Sequence, residues 1–508
     1  MALSRRQFIS AAGAFALWPA LIHAQSRTDT PFTLGVASGY PHPHGCTLWT
    51  RLAALPPDVM NHPAGVRVEW EIAHDERFAR LARRGEARAL PAWGHSVHVD
   101  VQGLAPGRWY WYRFTALGAR SGAARTRTAP EGRAAALRFA FASCQQYEQG
   151  YYAAFRHMAR ERPDLIVHLG DYIYESSWGR NHVRSHGAPA PVTLDEYRAR
   201  YALYKSDADL QAAHAACPWI VTWDDHEVEN DYANDRSQSL DPPGVFLARR
   251  AAAYQAYYEH MPLPAWARPR GPDMQLYTRV AYGDLAQFHV LDGRQYKSPQ
   301  VCARPGHGGS NSIAALACPE RMDPALTFLG MRQERWLQDG LRSATARWNV
   351  IAQQTLMAQS DRSPGDAQEF WTDGWDGYPK ARERLLGDVA ASPARNPVVI
   401  GGDVHMAVVS DLKLDFDDAK SPVIATEFCG TSISSQGPSR KRVDMLVAKN
   451  PHFKLVNAAH RGYTVIDLEP GRCIATLRAL HDVRDAGSGL FQLASFAVED
   501  GKPGAVRA

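Results

Sequence analysis

The chain has 508 residues, too many for one ordinary domain, so two domains with substantial cores are expected. Its hydrophobic fraction of 45% and charged fraction of 22% are typical of globular proteins and exclude disordered and fibrous classes. The 57 basic and 53 acidic residues give a formal net charge of +4 without a long run of one sign, so neither sequence-specific nucleic-acid binding nor a polybasic membrane patch is indicated.

Residues 1–25 combine a short basic head with an apolar stretch. The pair Arg5-Arg6, followed by Phe8, is typical of a twin-arginine export signal, and the stretch from Ile9 to about Ala24 is too short for a comfortable transmembrane span. The alternative is an ordinary basic head without twin-arginine meaning. We expect export by the twin-arginine machinery to the periplasm or the extracellular space, and no membrane span elsewhere.

Residues 30–130 alternate in polarity with the period of two that is typical of strands. Strands are predicted at about 46–51, 66–72, 96–101 and 109–114. Short strands with little helical signal between them indicate a small β-sandwich of immunoglobulin or fibronectin type. We expect Trp49, Trp109 and Trp111 in its core, and a linker at 126–132, where Pro130 and Gly132 occur.

Residues 136–483 alternate between apolar strands and amphipathic helices, which predicts an α/β domain. Its strands are predicted at 137–143, 164–169, 219–223, 285–291, 349–353 and 397–401. Helices are predicted at about 150–161, 194–215, 246–260, 331–343 and 379–390. Strand patterns return at 460–483, and residues 484–508 are assigned to a C-terminal tail.

The seven cysteines are an odd number in a chain that we expect to be exported. Cys302 and Cys318 flank a loop rich in Gly, Ser and Asn, and we predict a disulfide between them. An odd count leaves at least one thiol free, and Cys144 is expected to have another role.

Polar clusters follow several predicted strands of the α/β domain. Ligands of such sheets bind at the carboxyl ends of the strands, where loops present functional groups. The clusters are Cys144, Gly170 to Glu175, Asp224 to Asp231, Asp292 to Tyr296 and Gly402 to His405. Carboxylates suit hard cations such as Ca²⁺ or Fe³⁺, whereas imidazole and thiolate favour transition metals. The pattern predicts a site for more than one metal ion, in which a shared aspartate bridges two ions.

Taken in order, four motifs resemble those of the alkaline phosphatase D or PhoD-like family, a branch of the calcineurin-like metallophosphoesterases. They are Phe141-Ala-Ser-Cys144-Gln, Gly170-Asp-Tyr-Ile-Tyr174-Glu, Trp223-Asp-Asp-His-Glu-Val-Glu-Asn230-Asp and Gly401-Gly-Asp-Val-His405. The stretches 32–39, 48–52, 291–296 and 375–378 are also similar. The resemblance implies an αββα sandwich preceded by the small β-sandwich. It departs from the family at Gly39-Tyr40-Pro41, where Gly-Asp-Pro is common.

The resemblance also implies the cofactors and the roles of the site residues. It implies Fe³⁺ with one or two adjacent Ca²⁺ ions, with Zn²⁺ or Mn²⁺ as the fallback. Its implied metal ligands are Cys144, Asp171 as the bridge, Tyr174, Asp225, Asn230, Asp403 and His405. The implied catalytic residues are His226, which steadies a phosphoryl oxygen or protonates the leaving group, and Arg294, which clamps a phosphoryl oxygen.

Each assignment has an ordinary alternative: Cys144 as a buried structural thiol, Tyr174 as a core aromatic and His226 as a salt-bridge partner. The predicted function is hydrolysis of phosphomonoesters or phosphodiesters by in-line attack of a metal-bound hydroxide or oxo group. Substrates would be small phosphate esters, nucleotide-like or phospholipid. Two alternatives remain open: a phosphodiesterase of phospholipase D type and, in another class, a non-catalytic binding protein on the same fold.

Overall fold

The structure is a computed structural model that describes residues 30–508. The predicted twin-arginine signal, residues 1–25, lies outside the described residues. None of the helices between residues 30 and 508 combines the length and the hydropathy that a bilayer crossing needs.

The first part of the described chain consists mainly of strands. They are β1 (Val36–His42), β2 (Gly45–Arg51), β3 (Val66–Ala73), β4 (Leu81–Ala89), β5 (Ser96–Val101), β6 (Trp109–Ala116), β7 (Ala119–Arg120) and β8 (Ala124–Arg127).

Strands and helices alternate in the rest of the chain. The strands are β9 (Leu137–Ala142), β10 (Leu165–His168), β11 (Trp219–Val221), β12 (Thr278–Tyr282), β13 (Ala286–Val290), β14 (Ser312–Ala314), β15 (Trp348–Ala352), β16 (Glu369–Trp371), β17 (Pro397–Gly401), β18 (Ala407–Lys413), β19 (Val423–Cys429), β20 (Phe453–Asn457), β21 (Gly462–Glu469), β22 (Arg472–Leu480), β23 (Leu490–Glu499) and β24 (Lys502–Arg507). All six strands that the sequence predicted for the α/β domain are present, as β9, β10, β11, β13, β15 and β17.

The helices lie mainly between these later strands. They are α1 (Pro57–Met60), α2 (Ala153–Arg160), α3 (Leu194–Lys205), α4 (Ala208–Ala216), α5 (Pro243–His260), α6 (Met331–Arg342), α7 (Pro379–Ala391) and α8 (Arg440–Lys449). The single helix predicted over 194–215 is two helices, because Asp207 caps a new one. Its carboxylate accepts hydrogen bonds from the backbone N–H groups of Asp209 and Leu210.

Two large sheets pack face to face in the α/β part. One has the strand order β24-β23-β22-β21-β9-β10-β11-β1-β2-β5, and the other has the order β12-β13-β15-β17-β19-β18-β20. Phe139 of β9 meets Phe288 of β13 between them, with ring centroids 5.1 Å apart. Helices α2 and α4 pack on the first sheet and α7 packs on the second. The predicted αββα sandwich is confirmed.

The N-terminal β-sandwich is also confirmed, and one of its layers is shared. Strands β1, β2 and β5 form that layer, and β4, β3, β6 and β7 form the other, with β8 paired to β6. The shared layer continues into the catalytic sheet, because β1 runs parallel to β11 and pairs Gly39 with Trp219. Leu48 and Val97 of the shared layer and Val68 and Tyr112 of the other belong to one buried core.

The tryptophan prediction for this core was wrong in its details. Along β6 the buried side chains are Tyr110 and Tyr112, so Trp109 and Trp111 lie on the opposite, half-exposed face. Successive side chains of a strand point to opposite faces, and the sequence did not tell which face is inside. Trp49 is fully buried, but its indole N–H donates to the carbonyl of Glu259 in α5, outside the β-sandwich.

The predicted C-terminal tail contains two strands. Residues 490–507, within the range assigned to a tail, form β23 and β24 at the edge of the first sheet; the division into domains stays a prediction.

The stretch Gly39-Tyr40-Pro41, where the family commonly has Gly-Asp-Pro, contacts β11. The Tyr40 hydroxyl donates to the carbonyl of Val221 at 2.8 Å. A Cβ on Gly39 would lie 2.4 Å from the carbonyl oxygen of Pro262, which explains the glycine. This stretch therefore joins β1 to β11.

The predicted disulfide between Cys302 and Cys318 is present, with the Cα atoms 6.0 Å apart. Among residues 30–508 the other five cysteines are free and buried, including Cys144.

Candidate metal centre

Loops at the carboxyl ends of β9, β10, β11 and β17 converge on one site. Cys144 follows β9, Asp171 follows β10, Asp225 follows β11 and His405 follows β17. One potential ligand atom each from Cys144, Asp171 and His405 lie within 4.8 Å of one another. The same holds for Asp171, Asp225 and His226. The structure thus brings together the residues that the sequence singled out, with Asp171 common to both groups.

Tyr174 contacts the first of these groups. Its hydroxyl donates to Asp171 Oδ2 at 2.7 Å and lies 3.1 Å from His405 Nε2. His405 Nδ1 lies 3.1 Å from the carbonyl oxygen of Gln436, a geometry in which Nδ1 carries the proton. Nε2 is then unprotonated, and its lone pair is available beside Cys144 and Asp171, as a metal ligand requires.

Four site residues have left-handed backbone conformations, which residues other than glycine rarely adopt. The φ angles are 60° at Cys144, 56° at Asp171, 65° at Asp403 and 54° at His405. Each such residue costs on the order of 1 kcal/mol or more, and clusters of them are a mark of functional sites. Gly170 allows the loops to approach, since a Cβ there would lie 2.5 Å from the backbone nitrogen of Asp224.

His226 is held by a buried carboxylate. Its Nδ1 lies 2.6 Å from Glu175 Oε2, and the Tyr174 ring centroid lies 4.1 Å from its own. Burial alone would lower the pKa of His226, but the charges of Glu175, Asp225 and Asp171 raise it well above its ordinary value. Burial would raise the pKa of Glu175, but the charge of His226 lowers it to about 2. The close contact with Glu175 therefore favours the protonated form of His226.

A third group consists only of carboxylates. One oxygen each of Asp225, Asp231 and Asp373 lie within 4.8 Å of one another. Asp225 Oδ2 accepts the backbone N–H of Asp231 at 2.6 Å. Asp373 is held at 2.6 Å by both Lys297 Nζ and Gln300 Nε2. Oxygen-only donor sets are those that Ca²⁺ prefers.

Arg294 lies beneath the site, enclosed by acids. Its guanidinium contacts Asp224, Asp373 at 2.9 Å and Asp225 at 3.6 Å, and its side chain is 2% exposed. It does not line the cavity described below. The clamp on a phosphoryl oxygen stays a prediction; in the structure the guanidinium donors face carboxylates.

Asp403 and Asn230 lie in the cavity wall at the same site. Asp403 is half-buried, and its buried Oδ2 has no hydrogen-bond partner among residues 30–508. Burial, and then the charge of Asp224, raise the pKa of Asp403 well above its ordinary range. The backbone N–H of Asn230 donates to Glu175 Oε1 at 3.1 Å, which ties this loop to the partner of His226.

The donor set fits metal ions. Asp171 Oδ1, Asp225 Oδ1 and Asp403 Oδ2 are buried oxygens without a hydrogen-bond partner. Burial and neighbouring carboxylates raise the pKa of Asp171 well above its ordinary value, despite the opposing charge of His226. Buried carboxylates in such number are costly unless cations neutralise them. A thiol, a phenol and an imidazole lie on one side of Asp171, and carboxylates lie on the other.

The site opens into a cavity of about 950 Å³. Asp171, Asp225, His226 and Asp403 lie on its surface. The loop closed by the Cys302–Cys318 disulfide supplies another wall, and its Ser310 N–H donates to Asp231 Oδ2 at 2.9 Å. The cavity is large enough for a small organic ester in addition to a phosphoryl group.

Comparisons with known proteins agree with this geometry. The family profile described as "PhoD-like phosphatase" matches residues 139–477, and the profile described as "PhoD-like phosphatase, N-terminal domain" matches residues 17–130. Alkaline phosphatase D of Bacillus subtilis (strain 168) is 43% identical over 528 aligned residues, covering 98% of this chain and 88% of that protein. The chain belongs to the PhoD-like phosphatases.

A solved structure of the family agrees as well. The structure described as "Structure of PhoD" superposes with a TM-score of 0.87 at 43% identity and covers 94% of this chain and 92% of that one. The predicted family, fold and enzyme class, a phosphoric ester hydrolase, are thereby confirmed.

Four acidic residues of this PhoD-like site were missing from the predicted set: Glu175, Glu227, Asp231 and Asp373. Three of them stand inside quoted motifs, directly beside predicted residues. The motifs therefore contained these three acids, but the position of an acid within a motif does not show whether its side chain faces the metal-ligand cluster. Asp373 had no such signal, because it precedes the Trp375-Asp376 motif in a loop far along the chain.

Glu227 holds the two central loops together. Its carboxylate accepts the backbone N–H groups of Tyr172 at 2.6 Å, Asp224 at 2.9 Å and Asp171 at 3.2 Å. A buried acceptor of three backbone donors fixes the positions from which Asp171 and Asp225 project.

We expect Glu227→Ala to lower both stability and metal content. Each buried donor left without a partner costs ~1–3 kcal/mol. Glu427→Ala is the matched control, since Glu427 likewise accepts the N–H groups of Met357 and Ala358 but holds no site loop. Thermal denaturation should show a loss for both variants, and elemental analysis should show reduced metal per folded chain for Glu227→Ala alone. Wild-type metal content in Glu227→Ala would contradict the role.

Proposed function

We propose that this PhoD-like phosphatase hydrolyses phosphomonoesters, phosphodiesters or both at the site where Cys144, Asp171, Asp225 and His405 converge, and that it depends on metal ions. The observation that carries the proposal is the sharing of Asp171 and Asp225 between adjoining groups of ligand atoms. Shared carboxylates hold neighbouring cations at the spacing that phosphoryl transfer uses.

The donors divide into two kinds. Cys144, Tyr174 and His405, with Asp171, would hold Fe³⁺, because thiolate, phenolate and imidazole suit a transition metal. The carboxylates of Asp225, Asp231 and Asp373 would hold Ca²⁺, and Asp403 and Asn230 lie in the same wall to complete either set. Zn²⁺ or Mn²⁺ is the fallback. When bound, such ions neutralise phosphoryl oxygens and lower the pKa of a water molecule.

His226 has the geometry of a proton donor. Glu175 holds Nδ1, so Nε2 is the remaining donor of an imidazolium on the cavity surface. From this place it would donate a hydrogen bond to a phosphoryl oxygen or a proton to the leaving oxygen. Glu175 keeps the ring oriented and charged, and Arg294 keeps Asp224 and Asp373 in place below it.

The first test is the loss of an Asp171 oxygen. We expect wild-type protein to hydrolyse p-nitrophenyl phosphate or bis(p-nitrophenyl) phosphate and to lose this activity after chelation. Asp171→Asn should lower kcat/KM at least about 10³-fold, since charge stabilisation by a metal is worth several kcal/mol, and should lower bound metal. The exposed Asp58→Asn is the control. Full activity and metal content in Asp171→Asn would sink the proposal.

The iron assignment has a spectroscopic test. Thiolate or phenolate bound to Fe³⁺ gives a visible charge-transfer band, so we expect coloured protein that bleaches on reduction. Tyr174→Phe should shift or remove part of the band. Tyr172→Phe is the matched control, because its hydroxyl lies 2.8 Å from His214 Nε2 instead. A colourless, iron-free and fully active enzyme would refute iron and favour zinc or manganese.

We also propose export to the periplasm or the extracellular space through the twin-arginine route, on the basis of Arg5 and Arg6. Replacing both by lysine keeps the charge and should abolish export, measured by cell fractionation of the full chain. Export at the wild-type level in the double variant would instead indicate an ordinary basic head.

A further inference from the structure

One wall of the active-site cavity carries two arginines without a direct ion-pair partner among residues 30–508. Arg362 and Arg442 both line the cavity that contains Asp403 and His405. Within residues 30–508, neither guanidinium forms an ion pair, and Arg362 Nε is buried without a hydrogen-bond partner. By contrast, Arg249 in the same cavity is paired with Glu229 at 2.9 Å. Two donors of the cavity wall thus remain available to a ligand.

Arg362 is held in place by its surroundings. Its guanidinium carbon lies 5.0 Å from the Trp371 ring centroid, which also lines the cavity. Its backbone N–H donates to the carbonyl of Glu369 at 2.8 Å, so the segment folds back on β16. A stacked guanidinium keeps its planar fork free for an anion while losing little conformational freedom on binding.

Arg442 belongs to the first turn of α8, which begins after Ser439. The Ser439 hydroxyl accepts the backbone N–H of Arg442 at 3.4 Å. This first turn contains Arg440, Lys441 and Arg442 and no acid. Positive side chains at a helix N-terminus are unfavourable with respect to the helix dipole, whereas an anion there is stabilised.

The two arginines are close enough to repel each other. Burial, and then the charge of Arg442, lower the pKa of Arg362 to about 10. Two guanidinium groups make this wall a positive region beside a negative cluster. An anion bound between them would offset the repulsion.

We propose that Arg362 and Arg442 bind a second anionic group of the substrate, on the leaving-group side, and that the preferred substrates are phosphate esters whose leaving group carries a further negative charge such as a carboxylate or a phosphate. The inference rests on the proposed function. The cavity of about 950 Å³ has room for both anions of one small molecule. Arg362 and Arg442 would determine specificity and take no part in the chemical step.

The test compares two esters that differ in one charge, 4-carboxyphenyl phosphate and its neutral analogue 4-carbamoylphenyl phosphate. For wild type, kcat/KM should favour the carboxylate, and the preference should shrink as NaCl is raised. Arg362→Gln and Arg442→Gln should each lower the anionic-to-neutral ratio about tenfold, the effect of one lost charge-assisted hydrogen bond. Arg362→Lys should retain part of the preference. The exposed Arg335→Gln is the control and should match wild type.

The ratio does not depend on the concentration of active enzyme, so partial misfolding cannot mimic the effect. If both Gln variants keep the wild-type ratio, Arg362 and Arg442 do not bind the second anion, although the proposed hydrolase activity is unaffected. If wild type hydrolyses neither ester in the presence of added iron and calcium, the proposed function itself fails. The two failures are therefore distinguishable.

Discussion

The crowding of buried carboxylates is the constraint on which the rest of the site depends. Asp171, Asp225, Asp231 and Asp403 lie in loops that follow core strands, and Asp373 joins them from the loop after β16. Among residues 30–508, several of their oxygens have no hydrogen-bond partner. Negative charges so close and so poorly hydrated would destabilise the fold on their own. The arrangement makes sense when cations share them, and folding and metal loading are then coupled.

Separate polar interactions hold these acids in position. Glu227 joins the loops after β10 and β11, and Arg294 joins Asp224 to Asp373. The left-handed backbone at Asp171 is held by one of these contacts, because Glu227 accepts its N–H. The PhoD-like site is thus preorganised by its own polar network, which is the condition for fixed electrostatic stabilisation during phosphoryl transfer.

Much of this could be read from the sequence, and the failures are informative. The core strands β9, β10 and β17 were predictable because apolar runs are followed by Cys144, Asp171 and Asp403, and loops at the carboxyl ends of such strands carry functional groups. Strands β9 and β10 belong to the first sheet and β17 to the second, so the sequence did not show that the two sheets would place these ends together. Asp373 could not be found in this way, since only tertiary contacts with Lys297 and Gln300 bring it to the cluster. Arg294 stands in a motif of the resemblance, but the sequence did not show that its guanidinium contacts Asp224, Asp225 and Asp373. The sequence pattern shows which residues follow a strand at the edge of the sheet. It does not show which residues their side chains contact there.

The continuity of the first sheet across β11, β1, β2 and β5 has a consequence for how the protein can be divided. The N-terminal region is not an appendage on a linker, because it supplies the hydrogen-bonded neighbour of β11, the strand that leads directly to Asp224 and Asp225. Cutting the chain near residue 130 would leave a bare strand edge beside the active-site loop, open to pairing with other molecules. Fusions, deletions and swaps among relatives must therefore carry both regions together if the edge of β11 is to stay paired.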